Sequence, residues 1–405
     1  MRNIVGASLL WIALSAISDG VTTLVLPVRL ATGAETSEAV LGIVGTVGLL
    51  VGMVTQPFAG IASDRLRARV GRVSFAGVGV GLTVLALLGL ALVETPAGVT
   101  AAFAGLCLAL ALTQAPQQAL AVDVVPAARR GRAAGAKGFA DLLGSVLGFA
   151  LLGPLLASGD VKPSLAALAA GVLVTYLLVV LLVGRSSQLS MLRTETELTP
   201  NPPSFLRRPL LTAITARFLF LLGIYAVGRF LVPFIAVRLD LTVGAAADVS
   251  GGLLALLALI TAIGSLPAGL ASDRTSPSLL MLLGSLLAFG GIGLIAVASS
   301  LPAIAVGGSL MAAGTAVFVT ANWRVLLELA AGPNAGRLLG LANIGTAGAA
   351  ALAGLAGPVI SAANVLSPGA GYPALFGLAL AAVAASAAVA GPRITHARRP
   401  VRAEN

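Results

Sequence analysis

The chain has 405 residues, 58% of them from the set AVILMFWYC, and its 49 glycines bring the weakly polar share to about 70%, against roughly 45–50% in a soluble protein. Charged residues are 10%, where about 25% is usual, too few to clothe two or three soluble domains in a polar surface. A soluble fold is therefore excluded. One cysteine, Cys107, excludes an intrachain disulfide or a cysteine metal cluster, and one histidine, His396, near the C-terminal end, excludes a membrane-embedded histidine relay.

Charge spacing says the same locally. No Asp, Glu, Lys or Arg occurs between Arg72 and Glu94, Lys162 and Arg185, Arg274 and Arg324, or Arg337 and Arg393. Each of the last two gaps holds two membrane crossings at about 20 residues apiece. These runs are apolar on every face, whereas a transmembrane β-barrel alternates polar and apolar residues, so an all-α membrane protein is expected. In chain order the helices are placed near 4–28, 39–61, 73–93, 98–121, 135–157, 164–184, 213–236, 246–269, 277–298, 302–326, 338–362 and 371–391. The first run, Ile4 to Leu26, is long enough to span and has no clear cleavage site of a signal peptide. Twelve spans leave no room for a soluble catalytic domain, and no cofactor or metal is expected.

The net charge of +10 reads as topology rather than as affinity for nucleic acid. With the N-terminus inside, cytoplasmic segments hold 19 of the 25 Lys and Arg, as the positive-inside rule requires. Both termini are expected in the cytoplasm and the protein in the cell's inner (plasma) membrane, as a monomer in the lipid bilayer.

Self-comparison reveals a repeat. Val28-Arg29-Leu30 returns as Val237-Arg238-Leu239, and Gly60-Ile61-Ala62-Ser63-Asp64-Arg65 as Gly269-Leu270-Ala271-Ser272-Asp273-Arg274, both shifted by 209. Gly131-Arg132 returns as Gly336-Arg337 and Asp123 aligns with Glu328, both shifted by 205. Parallel repeats of this kind build one class of secondary transporter. They divide the chain into six-helix bundles at 1–184 and 210–391, a polar linker at 185–209 and a basic tail at 392–405.

Gly60-x-x-x-Asp64-Arg65 followed by Gly71-Arg72 resembles the loop signature of the major facilitator superfamily, and Gly269-x-x-x-Asp273-Arg274 sits where that superfamily repeats it. Five residues separate Asp-Arg from Gly-Arg here, where the commonest version has one. That longer form, with Gln56-Pro57, Gln114-Ala115-Pro116 and Asp123-Val124-Val125-Pro126, is similar to the glycoside–pentoside–hexuronide:cation and sucrose:proton symporter-like branch. The resemblance implies alternating access between two bundles. It also implies a cytoplasmic gate latched by the Asp64 and Asp273 loops, just past the ends of helices 2 and 8.

Ionisable groups inside lipid cost at least about 2.5–3.5 kcal/mol and face a pathway or a partner, so candidates are few. Asp19 lies about 15 residues into helix 1, and Arg229 at similar depth in helix 7, one residue from the position equivalent to Asp19. The two are expected near each other, Asp19 as protonation site or substrate anchor and Arg229 tuning it; a static ion pair is the alternative. Asp141 with Lys137, Arg324 with Glu328, and Arg217, read as a snorkelling residue near the start of helix 7, are expected to tune the inner gate.

Gln114, Gln117, Gln118, Asn322, Trp323, Asn343, Thr346, Tyr225 and Trp11 supply amides and aromatic platforms that suit a hydroxylated solute such as a sugar, although amides also join helices. Gly144-x-x-x-Gly148 and Gly345-x-x-Gly348 read as close-packing faces, and Gly153-Pro154 with Gly357-Pro358 as structural kinks. A secondary transporter of a small solute, with a proton or another cation as coupling ion, is the leading expectation; no ATP-binding loop of the Gly-x-x-x-x-Gly-Lys type occurs. A proton-coupled exporter of amphipathic compounds and a non-transporting assembly or pigment-delivery protein stay open as alternatives.

Overall fold

The structure, a computed structural model, describes residues 2–31, 38–124, 130–191, 208–330 and 345–390. Among the described residues there are twelve helices long and apolar enough to cross a bilayer, and no strand. The chain is a multi-pass membrane protein. Helices are what such sequences must form, since a backbone in hydrocarbon has to satisfy its own N–H and C=O groups.

The first span, α1, runs Arg2–Gly20 and continues through Val21–Val25 to Leu26–Ala31. Then come α2 (Glu38–Val70), α3 (Arg72–Leu92), α4 (Pro96–Val124), α5 (Arg130–Leu156) and α6 (Lys162–Met191). In the second half α7 is Arg208–Arg229 with a short continuation at Leu231–Arg238, α8 is Val243–Arg274, α9 Pro277–Val297 and α10 Leu301–Ala330. The last two spans are α11 (Gly345–Leu366) and α12 (Gly371–Ala390).

Two of the boundaries that differ from the sequence expectation bear on the expected gate. The segments read as loops after helices 2 and 8 are helical: α2 carries Asp64 and Arg65 and runs on to Val70, and α8 runs through Asp273 to Arg274. Between Gly60 and Gly71 there is no glycine or proline, and polarity alone does not stop α2. Gly71 does: its φ of 79° and ψ of 150° suit glycine alone, and Arg72 starts the next helix.

Prolines explain the interruptions inside spans. Pro27 has no N–H to give to Thr23, and its ring crowds that carbonyl. The backbone answers with a π segment at Val21–Val25, in which the Leu26 N–H donates to Val21 O. Pro233 does the same to the carbonyl of Arg229, where α7 stops; Phe230 takes φ −104° and ψ 15° before the helix resumes. Val21 and Phe230 are themselves 209 apart, so the repeat extends to the break in each half's first helix. Pro358 likewise follows a 3-10 stretch at Ala353–Leu355.

By their internal contacts the residues form two compact units, one of Met1–Leu198 with Arg229–Ala258, the other of Thr199–Gly228 with Leu259–Asn405. In the first unit α1 packs along α5 and α6, α2 along α4, and α3 along α4 and α6. The Gly144 and Gly148 face of α5 lies directly on the backbone of Ile12 and Ala16 in α1, as expected of a small-residue seam. Gly153 of α5 meets Gly251 of α8 backbone to backbone. Arg29, in the repeated Val-Arg-Leu fragment, donates from Nε to Leu90 O at 3.2 Å and from Nη2 to Val93 O. A cation thereby closes the carbonyl end of α3, where the helix dipole favours it. In the second unit α9 packs on α10 and α12, and α11 on α12.

Candidate functional site

The polar residues of α1 and α5 form one ladder in the first unit. Trp11, Ser15 and Asp19 recur every four residues along α1, and Lys137, Asp141 and Ser145 every four along α5, so each set lies on one helix face. Ser15 Oγ donates to Asp141 Oδ1 at 3.1 Å, and Ser145 Oγ to Asp19 Oδ2 at 2.5 Å. Lys137 Nζ sits 2.6 Å from Asp141 Oδ2 and 3.9 Å from the centre of the Trp11 ring. The expected Lys137–Asp141 pair at the start of α5 is thus formed, and it is tied to α1 through Ser15 and Trp11.

Asp19 is half-buried, and its bond from Ser145 is shared: Ser145 Oγ also lies 3.1 Å from the backbone oxygen of Asp141. Arg229 is buried, 4% exposed, with its guanidinium laid on α2 at Gly45, where any Cβ would overlap Nη1. Neither of these two contacts is between Asp19 and Arg229.

The amides divide by role. Gln117 is buried and gives its Nε2 to Ala7 O of α1 at 3.0 Å. Asn322, its equivalent under the repeat, is buried too and gives Nδ2 to Ala213 O of α7 at 3.0 Å. Each half therefore clamps its fourth helix to its first with an amide in the same place. Gln114 and Tyr225 are half-buried, and Gln118 and Trp323 are exposed. Asn343 lies outside the described residues.

At the proposed gate, Arg72 is 7% exposed and donates from Nη1 to Ser63 Oγ at 3.1 Å. Ser272, equivalent to Ser63, accepts instead from Arg324 Nη1 of α10 at 3.4 Å. The two halves thus bring an arginine to the same serine from different helices. Arg65 and Arg274 are exposed. Gly60 has open space around it, and Gly269 meets Thr320 Cγ2 only at 4.0 Å. The side chains of Asp64, Asp123, Asp273 and Glu328 lie outside the described set, although their backbone belongs to α2, α4, α8 and α10.

Sequence reasoning missed Ser15 and Ser145, because serines spaced by four in an apolar helix carry no signal without the partner helix. It also placed Arg217 near a helix start. The residue is nine positions into α7, and its Nε donates to Thr346 Oγ1 of α11 at 2.8 Å.

The sequence matches the Major Facilitator Superfamily over residues 9–251. No curated protein matches it. Among solved structures it is similar to a bacterial homologue of the human lysosomal transporter Spinster, in an inward-facing and unoccupied conformation. That match has 16% identity and a TM-score of 0.72, covering 99% of this chain and 98% of the other. The nucleoside transporter NupG matches with 13% identity and a TM-score of 0.73, over 96% of this chain and 100% of its own. A bacterial homologue of the iron transporter ferroportin, inward-facing, matches with 17% identity and a TM-score of 0.68, over 96% and 97% of the two chains. At these identities the likeness is one of fold.

Proposed function

Because the chain belongs to the major facilitator superfamily, we propose that it is a secondary active transporter that moves a small solute, a sugar or glycoside, by alternating access with proton coupling. The bundles are 1–184 and 210–391, both termini are cytoplasmic, and the membrane is the inner (plasma) membrane. The observation that carries the reading is the Asp19–Ser145–Asp141 arrangement between α1 and α5. A carboxyl group at that depth has a cost that function must repay.

The chemistry of one hydroxyl supplies the coupling step. Ser145 has a single proton and two acceptors in reach, Asp19 Oδ2 and Asp141 O. With Asp19 ionised, Ser145 donates to the carboxylate. Once Asp19 is protonated, its own O–H donates to Ser145 Oγ, and the serine proton turns to the carbonyl of Asp141. Protonation on α1 thereby changes a bond inside α5, while Lys137, Asp141 and Ser15 hold the other end of the ladder fixed. Arg229 is a cation in the same unit and shapes the field around this step. At the cytoplasmic side, Gly60, Asp64, Arg65, Gly71 and Arg72, with Asp273, Arg274, Asp123, Glu328, Arg324 and Asp141, form the gate. The exchange of Ser63–Arg72 for Ser272–Arg324 between halves supports a latch in each.

The test uses proteoliposomes of the full chain loaded with a pH-sensitive dye, to which glucose, sucrose and glucuronate are added in turn. Solute-driven proton movement is expected for the substrate class and should vanish in Asp19→Asn while solute counterflow persists. Full proton-driven uptake by a well-expressed Asp19→Asn protein would overturn the assignment.

A further inference from the structure

Arg217 stands apart from the other intramembrane charges. It lies nine residues past Arg208, about 14 Å along α7, well inside the span. Its Nε donates to Thr346 Oγ1 at 2.8 Å, its Nη1 lies 3.4 Å from Asn322 Oδ1, and its Cζ is 5.6 Å from the centre of the Trp323 ring. Asn322 cannot turn away, because its Nδ2 is committed to Ala213 O.

All three partners are neutral. Lys137 in the first unit has Asp141 as counter-ion; among the described residues, no carboxylate is within ion-pair distance of Arg217. The sequence gives the reason: the second unit contains only three acidic residues, Asp273, Glu328 and Glu404. Asp273 is at the end of α8 and Glu404 in the tail. Glu328 is six residues beyond Asn322, about 9 Å farther along α10 and about 120° around it. Among the described residues, the neutral partners position the guanidinium without neutralising it.

The cluster is also open on one side. Trp323 is 41% exposed and Arg217 only half-buried. Charged side chains within spans turn to the protein interior or to a water-filled cavity, not to lipid. A planar guanidinium with donors to spare, beside the Thr346 hydroxyl, matches the two oxygens of a carboxylate or phosphate.

We propose that Arg217, oriented by Thr346 and Asn322 and backed by Trp323, is the docking point for an anionic group, a carboxylate or a phosphate, carried by the solute. This deepens the transporter reading and rests on it: the solute is a hydroxylated molecule with one acidic substituent. Docking supplies the counter-ion that Thr346, Asn322 and Trp323 do not. A neutral sugar leaves the guanidinium uncompensated and binds more weakly.

The cluster contains its own reporter. The chain has two tryptophans, Trp11 and Trp323, so Trp11→Phe, which keeps an aromatic ring beside Lys137 and is itself first checked for proton movement against the parent, leaves Trp323 as the single indole fluorophore. The full-length Trp11→Phe protein in lipid nanodiscs is titrated with glucuronate, glucose 6-phosphate and glucose. The expected result is a saturable change of Trp323 emission with glucuronate or glucose 6-phosphate, at least about tenfold tighter than any change with glucose. Which of the two responds separates carboxylate from phosphate. In the same background Arg217→Gln should lose at least about tenfold in affinity and Arg217→Lys should keep part of it, with size exclusion and thermal unfolding showing both variants folded.

A response to glucose equal to that of its charged analogues, no saturable response to either charged sugar, or an anion response that survives Arg217→Gln overturns the proposal. The transporter reading is scored separately by proton movement in proteoliposomes. Glucose-driven proton movement without an anion response removes the charge requirement and leaves transport standing. An anion response with no flux under any gradient keeps the docking point and removes transport.

Discussion

The contact between α5 and α8 allows a substitution to be compared with its own neighbour. A Cβ on Gly251 would stand 2.7 Å from both Gly153 Cα and Phe149 O, all backbone atoms that cannot swing aside. Ordinary contact begins at 3.4 Å, so the helices must part by at least 0.7 Å locally. Overpacking of this kind costs about 1–3 kcal/mol. Alanine is also a better helix former than glycine, by about 1 kcal/mol, which opposes the clash and blurs any single measurement. Gly252 removes the ambiguity: it is in the same helix, and a Cβ there meets nothing within 4 Å. Gly252→Ala should be neutral or stabilising, and Gly251→Ala should fall below it by the full overpacking cost, because the propensity gain cancels in the difference. Thermal or denaturant unfolding of the two variants in one detergent measures that difference. Equal midpoints would refute the backbone contact between α5 and α8, and with it the idea that these glycines hold the two helices together.

Two further outcomes follow from the same geometry. Gln117→Leu removes the donor to Ala7 O and should cost about 0.6 kcal/mol, with about 1.7 as the upper end for interhelical bonds in membranes; an unchanged unfolding midpoint would refute the clamp and return Gln117 to the list of ligand-binding amides. Gly71→Ala forces a side chain into φ 79° and ψ 150°, which costs about 1–3 kcal/mol and should lower the unfolding midpoint, whereas a variant as stable as the parent would show that the α2–α3 corner has another conformation.

The spans were legible because apolar run length and charge position together define a crossing, and the repeat was legible because two loop fragments kept one offset. The angular setting of each helix was not. Helices apolar on every face carry no azimuthal information, so nothing in the sequence says that Ser145 meets Asp19 or that Gly45 faces Arg229. The coincidence of Gln117 with Asn322 under the repeat was visible, yet an amide that grips a carbonyl and one that grips a ligand look alike in sequence. The start of α7 was misjudged for a different reason: the helix begins at Arg208 rather than near residue 213, because a polar segment with several prolines reads as linker up to that point.

The ladder between α1 and α5 has a mechanical side as well. Ser15 to Asp141 and Asp19 to Ser145 are both separated by 126 residues, which means that the helices run in the same direction and in fixed register over at least a full turn. Sliding by one residue shifts an α-helix by about 1.5 Å, enough to break both bonds together. The pair is therefore a beam that resists shear. On the proposed coupling, a proton gained or lost at Asp19 acts on one of the two bonds that hold α1 and α5 in register.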